Sequence, residues 1–189
     1  YEDGILIFSD LVSFTKWSSQ FSAQHVTKRI GEMFFNIDLI APEFEVEKIM
    51  TIGDAFIGAI FNNSQKEQQK QEPEEDEAKS LHPTTPTKNR RDSSSSSSSL
   101  ARRCANACLF ATNILNTGSP LNMRVGVATG NIIVAFVGTE PPRFDVFGST
   151  ADTAQKLESS ALEGTVHGEV RHPGSWRRRH SNRPHYSLR

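Results

Sequence analysis

The chain has 189 residues, of which 36% are hydrophobic, a low share for a chain that folds along its whole length. Its formal net charge of −1 gives no overall attraction to nucleic acid or to an anionic membrane surface. No stretch approaches the length of apolar sequence that a membrane-spanning helix needs, so we expect no span in this chain. Together these properties predict one domain with part of the chain outside its core.

The cysteines and the start of the chain indicate its setting. Cys104 and Cys108 stand four residues apart on a predicted helix, near the limit of disulfide reach, so we expect free thiols and a reducing, cytoplasmic location. The chain starts at Tyr1, without methionine or a signal peptide, directly before a strand. We therefore expect a piece of a longer protein, which could carry a membrane anchor elsewhere.

The first predicted strand, from Gly4 to Phe8, is followed by the carboxylate of Asp10. Apolar side chains then recur at three- and four-residue steps from Phe14 to about Ile40. This spacing predicts a long helical segment with one buried face, which ends before Pro42.

The segment 46–61 predicts a β-hairpin with Gly53 in its turn and the carboxylate of Asp54 at its tip. Aspartates at the ends of neighbouring strands can hold a divalent cation, because hard cations prefer oxygen ligands and recruit substrate phosphates. Asp10 and Asp54 are therefore candidate metal ligands. Either one in isolation would be better explained as a turn residue or a strand-end cap.

Residues 62–100 differ in character from the flanking sequence. They contain a run rich in Gln, Glu and Lys, then seven consecutive serines from Ser93 to Ser99. No apolar periodicity is present, so burial could not offset the entropy cost of ordering this stretch. We expect a disordered insertion in a surface loop.

The second half of the chain predicts further elements and a tail. These elements are a helix from about 101 to 115, a hairpin of strands 123–129 and 132–136, a short strand 144–147, a helix opened by Gly148 and a strand beginning at Gly164. Residues 168–189 are rich in Arg and His and show no periodicity. We expect them to form a basic, disordered tail, and favour this over a nucleic-acid or anionic-lipid contact.

The order of strand, helix, hairpin, helix and further strands predicts an α+β fold of the ferredoxin-like βαββαβ plan. In this plan helices cover one face of an antiparallel sheet. The predicted domain spans residues 1–167, is interrupted by the insertion at 62–100, and is truncated or altered at its C-terminus.

Four segments, in one order along the chain, together resemble the catalytic domain of class III adenylyl and guanylyl cyclases. They are FSDLVSFT (8–15), KIMTIGDA (48–55), MRVGVATG (123–130) and RFDVFGSTADTAQKLES (143–159). The resemblance implies conversion of a nucleoside triphosphate to the 3′,5′-cyclic monophosphate and pyrophosphate, for signalling inside the cell. It also implies two Mg²⁺ or Mn²⁺ ions and a site at the interface of two cyclase domains.

The resemblance assigns roles to residues of the first half-site by motif position. The implied metal ligands are Asp10, Asp54 and the backbone carbonyl of Leu11. The implied triphosphate contacts are the backbone amides of Ser13, Phe14 and Thr15 and the side chain of Arg124. A helix N-terminus suits an anion, whereas Arg124 without this context would be as well explained as an exposed strand arginine.

The base-reading positions of the family correspond to Met50 and Asp145. Adenylyl cyclases have a lysine and guanylyl cyclases a glutamate where this chain has Met50, whose thioether neither donates nor accepts a strong hydrogen bond. An acidic residue at the position of Asp145 is typical of adenylyl cyclases, where it accepts from the adenine amino group. The pair favours ATP over GTP.

The transition-state asparagine and arginine of the family correspond to Asp152 and Lys156. An aspartate adds repulsion beside phosphates, and a lysine lacks the bidentate fork of arginine. Loss of one such donor typically costs about 10²–10³ in rate. We therefore expect a nucleotide cyclase domain that supplies the metal-binding half of the site to a heterodimer with a second cyclase domain.

Three alternatives remain open at this point. The chain could be an inactive cyclase-homology module that dimerises or binds nucleotide, or it could be a guanylyl cyclase. A polymerase or diguanylate cyclase on the same kind of sheet is disfavoured, because the hairpin carries Thr-Ile-Gly-Asp rather than a GGDEF-type turn.

Overall fold

The computed structural model describes residues 1–62, 93–117, 120–138, 143–169 and 186–188. The strands are β1 (Gly4–Leu11), β2 (Glu47–Ile52), β3 (Ala55–Ile60), β4 (Met123–Gly130), β5 (Ile133–Val137), β6 (Arg143–Phe147), β7 (Thr165–Glu169) and β8 (Tyr186–Leu188). The helices are α1 (Phe14–Ser18), α2 (Ala23–Ile40), α3 (Ser93–Ile114) and α4 (Ser149–Ser160), with a 3₁₀ turn at Ala41–Phe44. No helix in these ranges has the length and apolar character of a membrane span.

The main sheet has six strands in the order β2-β3-β1-β4-β7-β8. The first four strands reproduce the predicted ferredoxin-like arrangement, with β3 and β1 in the centre of the four and every pairing among them antiparallel. Strand β7 pairs with β4 in parallel after the crossover through α4. The α+β prediction is confirmed.

Helices cover both faces of this sheet, where the sequence predicted one covered face. Helices α2 and α3 pack on the face that carries Ile5, Ile7 and Val125. Helix α4 packs on the opposite face, against Leu6 and Ala128. The central strands are apolar on both faces, as strands covered on both sides require.

The long segment between β1 and β2 is two helices rather than one continuous helix. Ser18 and Ser19 donate their hydroxyl groups to the carbonyls of Thr15 and Lys16, at 3.1 and 2.9 Å. Such bonds compete with continuation of a helix, and α1 ends there. Ser22 then caps α2 by accepting from the amide of His25 at 3.3 Å.

The hairpin predicted for 123–136 is wrong. Both edges of β4 are occupied, by β1 on one side and by β7 on the other, so β5 has no free edge to join. Strand β5 pairs instead with β6 in a separate two-stranded ribbon, in which Ile133 lies opposite Phe147.

Both segments that were predicted to be disordered, the insertion and the tail, contain helix or strand. Helix α3 begins at Ser93, inside the expected insertion, because serine has an intermediate helix propensity and the helix is anchored by its buried C-terminal half. The tail contributes the end of β7 and the short strand β8, which pairs antiparallel with β7. The rest of both predictions, at 63–92, 170–185 and 189, lies outside the described residues.

Candidate active site

The two candidate metal ligands lie together at one end of the sheet. Strands β1 and β3 are antiparallel neighbours with Ser9 opposite Phe56, so Asp10 meets Asp54 where both strands end. The two side chains are close enough for the negative charge of Asp10 to raise the pKa of Asp54. The proximity that the sequence predicted is therefore present in the fold.

The electrostatics of this pair are unfavourable without a cation. Burial, and then the negative charge of Asp10, raise the pKa of Asp54 from 3.8 to about 6, while hydrogen bonds from the backbone amides of Asp54 and Leu11 act in the opposite direction. Two carboxylates this close repel each other when both are ionised, and a bound cation would relieve that repulsion.

The donor set fits a hard divalent cation. Two carboxylates and an adjacent backbone carbonyl offer oxygen atoms, which Mg²⁺ and Mn²⁺ prefer. Within the described ranges no group of three or more His, Cys, Asp or Glu side chains could hold a metal ion. Asp10 and Asp54 would therefore leave coordination positions to water and substrate phosphates, as magnesium sites in phosphoryl-transfer enzymes commonly do.

Arg124 lies directly across the sheet from Asp10. The two residues are partners in the β1–β4 register, and Nη2 of Arg124 donates to Oδ2 of Asp10 at 3.1 Å. The same nitrogen lies 3.0 Å from Oε1 of Glu158 on α4. The predicted phosphate contact thus lies beside the aspartate pair, held between two carboxylates.

Glu158 is a residue of this site that the sequence reasoning missed. It is only 6% exposed, and burial raises the pKa of its carboxyl group above the ordinary value. Its buried neighbours on α4 include Ala151, Ala154 and Leu157. The sequence could have revealed it, because Glu158 falls on the same face of the predicted helix as these apolar residues. A carboxylate on a buried face needs a partner.

The predicted phosphate cradle follows Asp10 along the chain. Ser13 has a left-handed backbone conformation (φ 61°) and precedes the five-residue helix α1. Its carbonyl accepts from the amide of Trp17 at 3.0 Å. The amides of Ser13, Phe14 and Thr15 therefore lie at the start of a short helix, three to five residues after Asp10.

The two base-reading positions lie on neighbouring strands. Met50 on β2 is half-buried and packs with Ile49 against the cluster beneath α4. Strand β2 contacts β6, which carries Asp145. One oxygen of Asp145, Oδ1, accepts from the amide of Val146 at 2.8 Å.

The two transition-state positions are not gathered with the aspartate pair. Asp152 and Lys156 stand one turn apart on the exposed side of α4, whereas Ala154 and Glu158 face the sheet. They line a shallow open groove together with Gln155, Ser159 and Ser160. One chain therefore presents two separate sets of predicted catalytic residues.

Comparison with known proteins identifies the family of the domain. The model of the adenylate and guanylate cyclase catalytic domain matches residues 1–171. The soluble guanylate cyclase subunit beta-2 of Rattus norvegicus is 27% identical over 175 residues, which is 88% of this chain and 21% of that protein. The chain thus spans about a fifth of that relative's length.

Solved structures share the fold. The guanylate cyclase domain of RhGC from Catenaria anguillulae, in complex with GTP, superimposes with a TM-score of 0.64 at 24% identity, covering 89% of this chain and 79% of that one. The adenylyl cyclase CyaB from P. aeruginosa gives a TM-score of 0.54 at 19% identity, covering 89% and 76%. Because the family model matches residues 1–171, this chain belongs to the adenylate and guanylate cyclase catalytic-domain family.

Proposed function

We propose that this chain supplies the metal-binding half of a nucleotide cyclase that converts ATP to cyclic AMP and pyrophosphate for signalling in the cytoplasm. The observation that carries the proposal is the close pair of Asp10 and Asp54 at the adjoining ends of β1 and β3, with Nη2 of Arg124 3.1 Å from Oδ2 of Asp10. Two neighbouring carboxylates, one with a raised pKa, beside an arginine suit a cation and a polyphosphate better than they suit an empty surface.

The reaction forms a bond between the ribose 3′ oxygen and the α-phosphorus and breaks the bond from the α-phosphorus to the β-phosphate bridging oxygen. The 3′-hydroxyl loses its proton to water, and pyrophosphate leaves with the electron pair of the broken bond. When bound, Mg²⁺ or Mn²⁺ supplies activation of the hydroxyl and neutralisation of phosphate charge. In this proposal Asp10, Asp54 and the carbonyl of Leu11 hold the ions. Arg124 orients the phosphates.

The amides of Ser13, Phe14 and Thr15 are proposed to contact the triphosphate. They follow Asp10 closely in the chain, and backbone N–H groups at a turn are suited to phosphate oxygens. This contact would place the β- and γ-phosphates beside Arg124, at the same end of the sheet as the aspartate pair.

The proposed preference for ATP comes from Asp145 and Met50. Oδ1 of Asp145 is bonded to a backbone amide, which orients Oδ2 as an acceptor for an amino group such as that of adenine. Met50 offers no acceptor for the N–H groups of guanine. GTP is the second candidate, and it is supported by the naming of the rat relative as a guanylate cyclase subunit.

A second cyclase domain is the proposed partner. Asp152 and Lys156 lie on a different surface from Asp10 and Asp54, so a complete site requires residues from two domains. The β5–β6 ribbon exposes an apolar surface suited to such an association. Its exposed members are Ile133, Phe136, Val137, Phe144 and Phe147. We propose a heterodimer, because Met50, Asp152 and Lys156 depart from the family pattern and two copies would form two impaired sites.

The test is cyclic-nucleotide formation from Mn-ATP and Mn-GTP by the chain alone and with a candidate partner domain. We expect low turnover from the chain alone, higher turnover with the partner, and more cyclic AMP than cyclic GMP. Asp10→Ala should abolish turnover of the assembled complex. If the complex retains its turnover with Asp10→Ala, the chain is instead an inactive module that dimerises or binds nucleotide.

A further inference from the structure

The guanidinium of Arg124 lies between two carboxylates that compete for it. Its Nη2 atom is 3.1 Å from Oδ2 of Asp10 and 3.0 Å from Oε1 of Glu158. The contact with Glu158 is close enough for an ion pair but is not aligned as a hydrogen bond. One cation therefore divides its attraction between two anions.

Glu158 has little freedom to leave this arrangement. It is 6% exposed beneath α4, and its other oxygen, Oε2, accepts from the hydroxyl of Ser159 at 3.0 Å. Arg124 is the cation paired with it across the described residues. A buried carboxylate without a cation is strongly destabilising, so Glu158 and Arg124 hold each other.

Asp10, by contrast, is required by the proposed function to bind a divalent cation instead of Arg124. A carboxylate cannot serve a divalent cation fully while it is also neutralising an arginine. If Arg124 had Asp10 as its one counter-ion, each bound cation would leave a guanidinium unpaired at the edge of the sheet. Glu158 removes this conflict, because Arg124 keeps a buried counter-ion when Asp10 changes partner.

We propose that Glu158 is a positioning residue that holds Arg124 beside the phosphate site and thereby releases Asp10 to bind a divalent cation. The inference rests on the proposed function, since it assigns Asp10 to a cation and Arg124 to a phosphate. It adds a carboxylate that touches neither ligand and acts through the guanidinium.

This role predicts effects of opposite sign on two ligands. Neutralising Glu158 leaves Arg124 attracted to Asp10 alone and adds one unit of positive charge locally. Cation binding should weaken, whereas binding of a polyphosphate anion should strengthen. Loss of a purely structural contact would weaken both.

The experiment is calorimetric titration of the full chain with Mn²⁺ alone and, in EDTA, with ATP. For Glu158→Gln we expect the Mn²⁺ dissociation constant to rise roughly fivefold and the metal-free ATP dissociation constant to fall by about twofold or more. The double variant Arg124→Gln/Glu158→Gln should bind Mn²⁺ at least as tightly as the parent chain, because nothing then competes for Asp10. Glu163→Gln, the same charge change at an exposed site on the loop after α4, should leave both constants unchanged.

Each outcome supports or overturns a stated claim. Unchanged Mn²⁺ binding in Glu158→Gln, weakened binding of both ligands in that variant, or weakened Mn²⁺ binding that the second substitution does not restore, overturns the positioning role. The double variant leaves no unpaired buried charge, so it tests the claim even if Glu158→Gln does not fold. A parent chain that binds no Mn²⁺, or binds it equally well with Asp10→Ala, overturns the proposed function itself.

Discussion

At the scale of single residues, the site depends on carboxylates whose charges oppose one another. Asp10 and Asp54 repel when both are ionised, and their repulsion is relieved by a proton, by Arg124 or by a cation. The same physics explains why Asp54 has a raised pKa and why the pair suits a divalent metal. The repulsion between Asp10 and Asp54 destabilises the cation-free chain, and a bound cation would relieve it.

The raised pKa of Asp54 predicts a pH-dependent stability in EDTA. Its pKa is about 6 in the folded chain and 3.8 in the reference state, so the folded chain binds the proton more tightly. The contribution of this group to stability is complete below the lower value and is lost as the pH rises through the higher one. Asp54→Asn removes that loss, so it should raise the melting temperature relative to the parent chain at pH 8 more than at pH 4. A difference that does not change with pH would contradict the raised pKa of Asp54.

Met50 predicts a change of base preference. Because Met50 belongs to the impaired half-site, the substitutions are made in a chain that also carries Asp152→Asn/Lys156→Arg. In that chain Met50→Glu should increase cyclic GMP relative to cyclic AMP by about tenfold, and Met50→Lys should shift the ratio toward cyclic AMP, because each introduces a hydrogen-bonding group that matches one base. The measurement is the product ratio at equal Mn-ATP and Mn-GTP. Met50→Leu is the matched control, since it changes shape without adding a polar group. Identical ratios in all three variants would mean that residue 50 does not face the base.

At the scale of elements, the site is built by the close approach of α4 to β4. A Cβ added at Gly126 would collide with the carbonyl oxygen of Ala154 and the amide nitrogen of Glu158, both backbone atoms of α4. Glycine at this position lets the helix lie close enough to the sheet for Glu158 to reach Arg124. The glycine is therefore required for packing rather than for a special backbone angle.

Gly126→Ala should destabilise the chain by about 1–3 kcal/mol, because α4 must move away from the sheet. The free energy of unfolding, from urea titration, measures this. Gly31→Ala is the control: no atom lies within 4 Å of the added Cβ in α2, and alanine should stabilise that helix by about 0.5–1 kcal/mol. Equal effects of the two substitutions would exclude the tight approach of α4.

The sequence predicted the elements better than their partners. The order of strands and helices was sufficient to bring Asp10 and Asp54 together, since β1 and β3 are both central in a ferredoxin-like sheet. The pairing of β5 was not predictable locally, because it depends on β7 occupying the second edge of β4. Glu158 was missed because a carboxylate on a helix is usually solvated, and only the register of α4 on the sheet shows that it is buried.

At the scale of the whole molecule, one chain presents half-sites on different surfaces. The aspartate pair with Arg124 lies at the end of the sheet, and Asp152 and Lys156 lie on the outer side of α4. By the motif resemblance, the first set has the residue types expected for the family, whereas Asp152 and Lys156 depart from them. This asymmetry is the basis for expecting a chain that acts as one half of a heterodimer.

The chain itself provides the most direct test of this central claim. A repaired partner, Asp10→Ala/Met50→Lys/Asp152→Asn/Lys156→Arg, would carry the family residues of the second half-site and no functional aspartate pair. Mixed with the parent chain, it should form one complete site per heterodimer.

The measurement is cyclic AMP formed from Mn-ATP by each protein alone and by their equimolar mixture. We predict a mixture at least tenfold more active than either protein alone, since restored donors of this kind are worth about 10²–10³ each. A mixture no more active than the parent chain alone would contradict the assignment of this chain as the metal-binding half of a nucleotide cyclase.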